Sequence, residues 1–355
     1  MDKKIQLMVG PTAIPDRVLR AMNRQVFSHR SQEYYDIHRE VVENLKKIFQ
    51  TKNDVLLLSS SGTGAMEAVI ANCFSKGDKV VVAVTGNFGE RLALISETYG
   101  LKVERVKFEL GETADVDRVL SSVDENTKAV LIVHNESSTG VYNDLSSFGQ
   151  ALKNTDTLLI ADSVSGLGGL ELKMDEWNID VVLSSSQKAL MCPPGLAPVA
   201  ISKKAWKAIE KSDLPKFYFD FKKAKTSNDS YQTPWTPSIY TLFGMQEALR
   251  MILEEGLENV YGRHKSNTKL IIDGVKKLGL SLFAKDENYA SPTLTAVYAP
   301  GKSKYIVSEL AKGNIVINGG LAPFAEDVFR VGTMGYVSES DVIAFLHGLE
   351  KVLSK

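Results

Sequence analysis

Cysteine is scarce in this chain: two, Cys73 and Cys192, in 355 residues. Two thiols cannot build a disulfide framework or a four-ligand zinc site. Cys73 falls in the helical apolar pattern of Ala65, Met66, Val69 and Ile70 and reads as a core residue. Long apolar runs are missing too. No stretch approaches the roughly 18 residues a membrane span needs, and no apolar region with a cleavage site follows Met1-Asp2-Lys3-Lys4-Ile5. Those absences predict a cytoplasmic protein with reduced thiols and no membrane partner. Charge of one sign is also missing: the formal net charge is −1, which leaves no footprint for nucleic acid or an anionic surface. Repeats and low-complexity tracts are absent. What remains is a globular composition, in a length that suggests one large domain and a smaller one.

From about residue 50 to 210, strand and helix signals alternate. Short runs rich in Val, Leu and Ile recur at 55–58, 80–84, 129–133, 158–161 and 181–183, separated by amphipathic stretches such as 62–74 and 90–99. Runs that are apolar throughout are buried on both faces, the pattern of a parallel sheet covered by helices. The expected fold class is α/β. Residues 212–237 lack periodicity and are rich in Lys, Ser, Asp, Pro and aromatics. They read as a long irregular segment, a kind that is often functional. A helix resumes over about 238–255. Beyond it, strand signals at 293–298, 315–317 and 329–331, a helix around 303–312 and a last helix from Ser338 predict a smaller α+β unit. The expected division is an N-terminal segment 1–15, a large domain 16–255 and a small C-terminal domain 256–355.

In a parallel α/β sheet, ligands bind at the carboxyl ends of the strands. The first expected strand delivers Ser59-Ser60-Ser61-Gly62-Thr63-Gly64 directly into a helix. Small residues, free amides and the Ser61 and Thr63 hydroxyls make this a phosphate cradle, or else a plain capped helix start. It fits neither the Walker pattern nor a GxGxxG fingerprint. The second strand delivers Phe88, flanked by Gly86 and Gly89, which could stack on a flat cofactor or staple the helix to the sheet. The next delivers a dense polar run, His134-Asn135-Glu136-Ser137-Ser138-Thr139-Gly140. No second ligand pair has zinc spacing, and no metal is expected. The run 158–161 leads into Asp162, a carboxylate that is costly to bury unless it meets a cation. The fifth strand delivers Ser184-Ser185-Ser186-Gln187-Lys188. A lysine just past a buried strand is desolvated, which lowers its pKa and makes it a nucleophile; otherwise it is one surface lysine among 42 Lys and Arg residues. Each feature alone has such a plain reading. Together they match the needs of pyridoxal 5'-phosphate (PLP): a phosphate anchor, a stacked ring, a hydrogen-bonded phenolic oxygen, an acid for the pyridine nitrogen and a lysine for the aldehyde.

With these residues the sequence resembles the class V aminotransferases of PLP fold-type I, most of all the alanine–glyoxylate / serine–pyruvate branch. The likeness runs from Val9-Gly10-Pro11 to Phe329-Arg330-Val331-Gly332. Ser186-Gln187-Lys188-Ala189-Leu190, Pro193-Pro194-Gly195 and Glu136-Ser137-Ser138-Thr139-Gly140 carry it most specifically. The resemblance implies a large, mostly parallel sheet covered by helices and a smaller α+β C-terminal domain. It implies that Lys188 joins the cofactor aldehyde and shuttles the α-proton, with Asp162 on the pyridine nitrogen. Phe88 would stack on the ring where relatives often carry Trp. Ser61, Gly62, Thr63 and Gln187 would hold the phosphate, and Ser137 would sit near the phenolic oxygen. Arg330 would clamp the substrate carboxylate, and Gly10, in the loop Gly10-Pro11-Thr12, would border the substrate. Thr12 departs from the frequent Gly-Pro-Gly and bears on the pocket's width and polarity. Tyr231 and Thr233 match a segment that reaches the neighbouring subunit's cofactor, which implies a homodimer with shared sites.

The expected activity is transfer of an amino group from a small amino acid, alanine or serine, to a 2-oxo acid, glyoxylate or pyruvate. Aspartate, phosphonate-type or other donors stay open, because Arg30 or Arg91 could enter the pocket as a second arginine. A β-eliminating lyase would use the same residues. A cysteine desulfurase needs a nucleophilic cysteine on a loop well past the lysine, and none follows Cys192. A non-catalytic PLP-fold subunit is the non-enzymatic rival.

Overall fold

The computed structural model describes residues 4–354. Seven strands form its main sheet, in the order Asp54–Leu58, Ala197–Ile201, Val181–Leu183, Leu158–Asp162, Thr127–Val133, Lys79–Val84, Lys102–Lys107. Pairing is parallel from Val181–Leu183 through to Lys102–Lys107. Ala197–Ile201 runs antiparallel to both of its neighbours. The sheet is thus mostly parallel, as expected, but it holds two strands beyond the five read from sequence. Lys102–Lys107 (KVERVK) is a polar edge strand with one buried residue, Val106, so no apolar run announces it. Ala197–Ile201 carries Pro198, a residue that argues against a central strand. It is nonetheless central.

Alternate strand residues feed two separate cores, one on each face. Val55, Leu57, Val81, Ala83, Val130, Ile132, Leu159 and Ala161 pack with helices Gln32–Phe49 and Ile239–Glu255. Leu56, Leu58, Val80, Val82, Leu131, Val133 and Leu183 pack with helices Gly62–Cys73 and Lys203–Lys211. The continuous apolar runs are the result: every residue faces one core or the other. The segment 212–237 is not irregular throughout, because Phe221–Asn228 is a helix. Its sequence FKKAKTSN buries only Phe221, so no periodicity reveals it, and it is capped by Asp220, which accepts from Lys222 N and Lys223 N.

A second sheet, antiparallel, has the order Ser281–Leu282, Leu294–Tyr298, Val328–Gly332, Asn318–Gly319. With helices Leu257–Lys277, Ser303–Lys312 and Glu339–Leu353 it forms a third core. Ser338 starts the last helix with a capping box to Asp341. The N-terminal strand Ile5–Gln6 pairs with Ile315–Val316, and Leu7 lies in that third core. The chain then passes through Val9 and Gly10 to the main sheet's strand ends.

Candidate active site

Parallel register lines up Val133, Asp162 and Leu183 at one edge of the main sheet. Two further backbone bonds, His134 N to Asp162 O at 2.8 Å and Ser163 N to Leu183 O at 2.9 Å, hold the segments together as they leave it. Residues 134–138, 162–164 and 184–188 therefore converge by topology.

Lys188 is the centre of this cluster. Its Nζ donates to the carbonyl of Val9 at 2.6 Å. Gly10 has φ +124°, a conformation that favours glycine, and a Cβ there would lie 2.7 Å from Lys188 Cε and push the lysine aside. Burial, seconded by the charge of Arg330, pushes the Lys188 amine down to about 8; Asp162 pulls the other way and Arg91 adds to the lowering. Asp162 is buried and accepts from Val164 N at 2.8 Å. Burial pushes its carboxyl up to about 7, because no cation forms an ion pair with it among the described residues. A buried acid without a partner cation, near an amine whose proton is held less tightly than usual, suits a ligand that brings a protonated ring nitrogen and an aldehyde.

The helix Gly62–Cys73 starts at the next strand end. Ser61 caps it by accepting from Gly64 N at 3.3 Å. Among the described residues the amides of Gly62 and Thr63 have no acceptor. These are the orphan donors of a helix start, and they bind anions. A Cβ on Gly62 would sit 2.7 Å from Val164 Cγ2 and 3.4 Å from Ser185 Cβ. Ser185 in turn donates to Gln187 Oε1 at 2.5 Å, so Gln187 joins the cradle through it. Arg91 donates to Thr63 Oγ1 at 3.1 Å, and its guanidinium lies 4.6 Å from the centre of the Phe88 ring.

Arg330 lies on strand Val328–Gly332 and is buried. Its Nε donates to Gly319 O at 3.0 Å and Nη1 to Ser137 O at 2.9 Å, which leaves Nη2 without a bond among the described residues. Ser137 is buried and its hydroxyl makes no hydrogen bond among the described residues. The acid of the polar run, Glu136, has its carboxylate on Phe88 N, Gly89 N and Ser138.

Some residues singled out from sequence do not meet Lys188. Tyr231 lies beneath the Arg39 guanidinium, and Thr233 donates to Trp235 O at 2.8 Å while its own carbonyl accepts from Arg30. Arg30 is thereby committed to that segment, and of the two candidate second arginines Arg91 is the one beside Thr63 and Phe88. Thr12 is tied to the lysine segment: its hydroxyl donates to Lys188 O at 2.9 Å and its amide to Gln187 O at 3.0 Å. It anchors the lysine's backbone. Val164 and the Val9 carbonyl were not legible as site groups, since an aliphatic side chain and a peptide oxygen carry no motif. Cys192 is buried, with Sγ on Thr241 O.

A model of the aminotransferase class-V family matches residues 7–345. The soluble hydrogenase 42 kDa subunit of Anabaena cylindrica is 39% identical, over 99% of this chain and 94% of its own length. The serine–glyoxylate aminotransferase of Methylorubrum extorquens is 36% identical, over 97% of this chain and 89% of its own. The crystal structure of an alanine–glyoxylate aminotransferase from Nostoc superposes with a TM-score of 0.93 at 31% identity, covering 99% of this chain and 96% of that one. The residues found here fit PLP: open amides at a helix start for its phosphate, an unpaired buried acid for its ring nitrogen, and an amine that no side chain at Gly10 crowds. The chain belongs to the class V aminotransferases and is a PLP-dependent transaminase of fold-type I.

Proposed function

We propose that this enzyme moves the amino group of a small uncharged amino acid, alanine or serine, to glyoxylate or pyruvate. The observation that carries the reading is Arg330, a buried guanidinium with Nη2 unspent and no carboxylate paired to it among the described residues. Such a fork suits one α-carboxylate. Relatives named serine–glyoxylate and alanine–glyoxylate aminotransferase support the choice of substrates.

PLP, when bound, supplies an electron sink for the carbanion left by loss of the α-proton. The chain's residues do the rest. Lys188 is the proposed attachment point and, once released, the base that takes the α-proton on Nζ and returns it; lowering the amine to about 8 gives it a far larger neutral share near neutral pH than an ordinary lysine has. Asp162 holds the proton of the ring nitrogen. Ser61, Gly62, Thr63 and Gln187 hold the phosphate, Phe88 covers one ring face and Ser137 donates to the phenolic oxygen. Val164, which follows Asp162 and packs toward Gly62, is added as a contact. Gly10 keeps the substrate side open. Tyr231 and Thr233 serve the site of a second copy, so the working form is a homodimer, with the chain divided near residue 255 and housed in the cytoplasm.

Arg91 favours a second reading, a dicarboxylic donor such as aspartate, because it brings another cation to the Thr63–Phe88 side. A panel of alanine, serine and aspartate against glyoxylate and pyruvate decides between them. The proposal predicts a kcat/KM for alanine or serine at least tenfold above that for aspartate; the reverse order would replace it with the second reading.

A further inference from the structure

The helix Asn87–Thr98 carries Phe88 in its first turn. A helix leaves its first amides without partners, and a side chain at the N-cap normally meets some of them. Here the N-cap is Gly86, which has none to offer. The amides are met from another segment instead. Asn87 N donates to Ser138 Oγ at 2.9 Å, and Phe88 N and Gly89 N donate to Glu136 Oε2 at 3.0 and 3.1 Å. Glu90 N closes the turn on Gly86 O at 3.1 Å. The other carboxylate oxygen, Oε1, accepts from the amide and the hydroxyl of Ser138.

Glu136 is fully buried and sits in no ion pair among the described residues. Four hydrogen bonds replace the water it has lost, which is how a buried carboxylate becomes tolerable. The same short loop serves Arg330, because Ser137 O accepts Nη1. One loop thus sets both the aromatic and the arginine. Gly86 is required by space: a Cβ there would meet Ser138 Oγ and lie 2.6 Å from Glu136 Cγ.

We propose that Glu136 is a positioning residue, an internal carboxylate that fills the start of the helix Asn87–Thr98 and so sets Phe88 against the cofactor ring. The inference rests on the stacking role given to Phe88 above. Its action runs through the backbone of residues 88 and 89, whose amides it accepts.

The test uses the holoenzyme with Glu136→Gln, Phe88→Ala, the double variant, and Gly86→Ala. Glutamine keeps the size but turns one acceptor into a donor, which must face either the Phe88 and Gly89 amides or Ser138 N. Three readouts apply: PLP affinity, the visible circular dichroism of bound PLP, and kcat and KM separately. Glu136→Gln is expected to weaken PLP binding about tenfold or more, to shrink the dichroic band, and to lower kcat more than it raises KM. Phe88→Ala should do the same, and the double variant should be no worse than Phe88→Ala alone, within about twofold. Multiplied losses in the double variant would overturn the proposal and leave the transaminase reading intact. No effect of Phe88→Ala would overturn the stacking role, and the proposal with it. If Glu136→Gln does not fold, Gly86→Ala decides: it keeps the charge and displaces the carboxylate, and unchanged affinity and dichroism there would refute the proposal.

Discussion

Two helices begin at strand ends of the same sheet, Gly62–Cys73 and Asn87–Thr98, and their first turns are treated in opposite ways. The second is filled from within: Glu136 and Ser138 take the amides of Asn87, Phe88 and Gly89. The first is left open: Ser61 takes Gly64 N, and Gly62 N and Thr63 N have no acceptor among the described residues. Both starts carry the same partial positive charge. One spends it on a protein carboxylate. The other leaves it open, which is why the phosphate is proposed to bind there. What separates them is whether a neighbouring loop carries an acid of the right reach.

The largest effect expected lies beside both starts, at the amine they frame. Lys188→Ala should lower turnover by roughly 10³-fold or more while PLP still binds, without the visible band of lysine-bound cofactor. Steady-state rates and an absorbance spectrum check it. If the open helix anchors PLP by its phosphate alone, binding survives the loss of the lysine.

Asp162→Asn should come next, costing at least ~10²-fold in turnover while stabilising the apoprotein. Burial lifts Asp162 from 3.8 to about 7. Between about pH 4 and 7 the folded chain keeps a proton that the unfolded chain has lost. The folded state binds more protons there, so this group's contribution falls as pH rises through that window, and its full penalty is present above about 7. The apo variant should therefore exceed the parent at pH 8 by on the order of 2–4 kcal/mol and match it near pH 4. Thermal unfolding at the two pH values measures this. An equal gain at both would deny that ionisation is the cause.

Gly62→Ala sharpens the helix comparison with a smaller effect. The new methyl would lie 2.7 Å from Val164 Cγ2, at the open start. PLP affinity should fall about tenfold, or about 1.4 kcal/mol, with the apoprotein's Tm changed by a few degrees at most. A loss of Tm with no loss of affinity would make this an ordinary capped helix.

Five strands were legible because each residue of a run such as 129–133 enters one core or the other, whereas the equally buried Ala197–Ile201 was masked by Pro198. Lys102–Lys107 and Phe221–Asn228 were not, since an edge strand and a surface helix bury one residue each. Lys188, Asp162, Ser61 and Phe88 could be singled out as candidates because strand ends converge in a parallel sheet. Arg330 could not be placed that way. It comes from the second sheet, more than a hundred residues on, and only the family pattern named it. The bond of Thr12 to Lys188 O and the cap by Glu136 were hidden for another reason: both are side chains serving a backbone group remote in sequence, and sequence spacing does not encode such pairs. In the long segment, Tyr231 and Thr233 contact Arg39, Trp235 and Arg30.

The central claim is that Lys188 is the residue to which PLP is joined. Borohydride reduction of the PLP-loaded enzyme fixes the cofactor to its lysine, and mass spectrometry of the digested protein locates it. The account predicts one modified peptide, the one containing Lys188, and none after Lys188→Ala. Label on a different lysine, or on none, would contradict it.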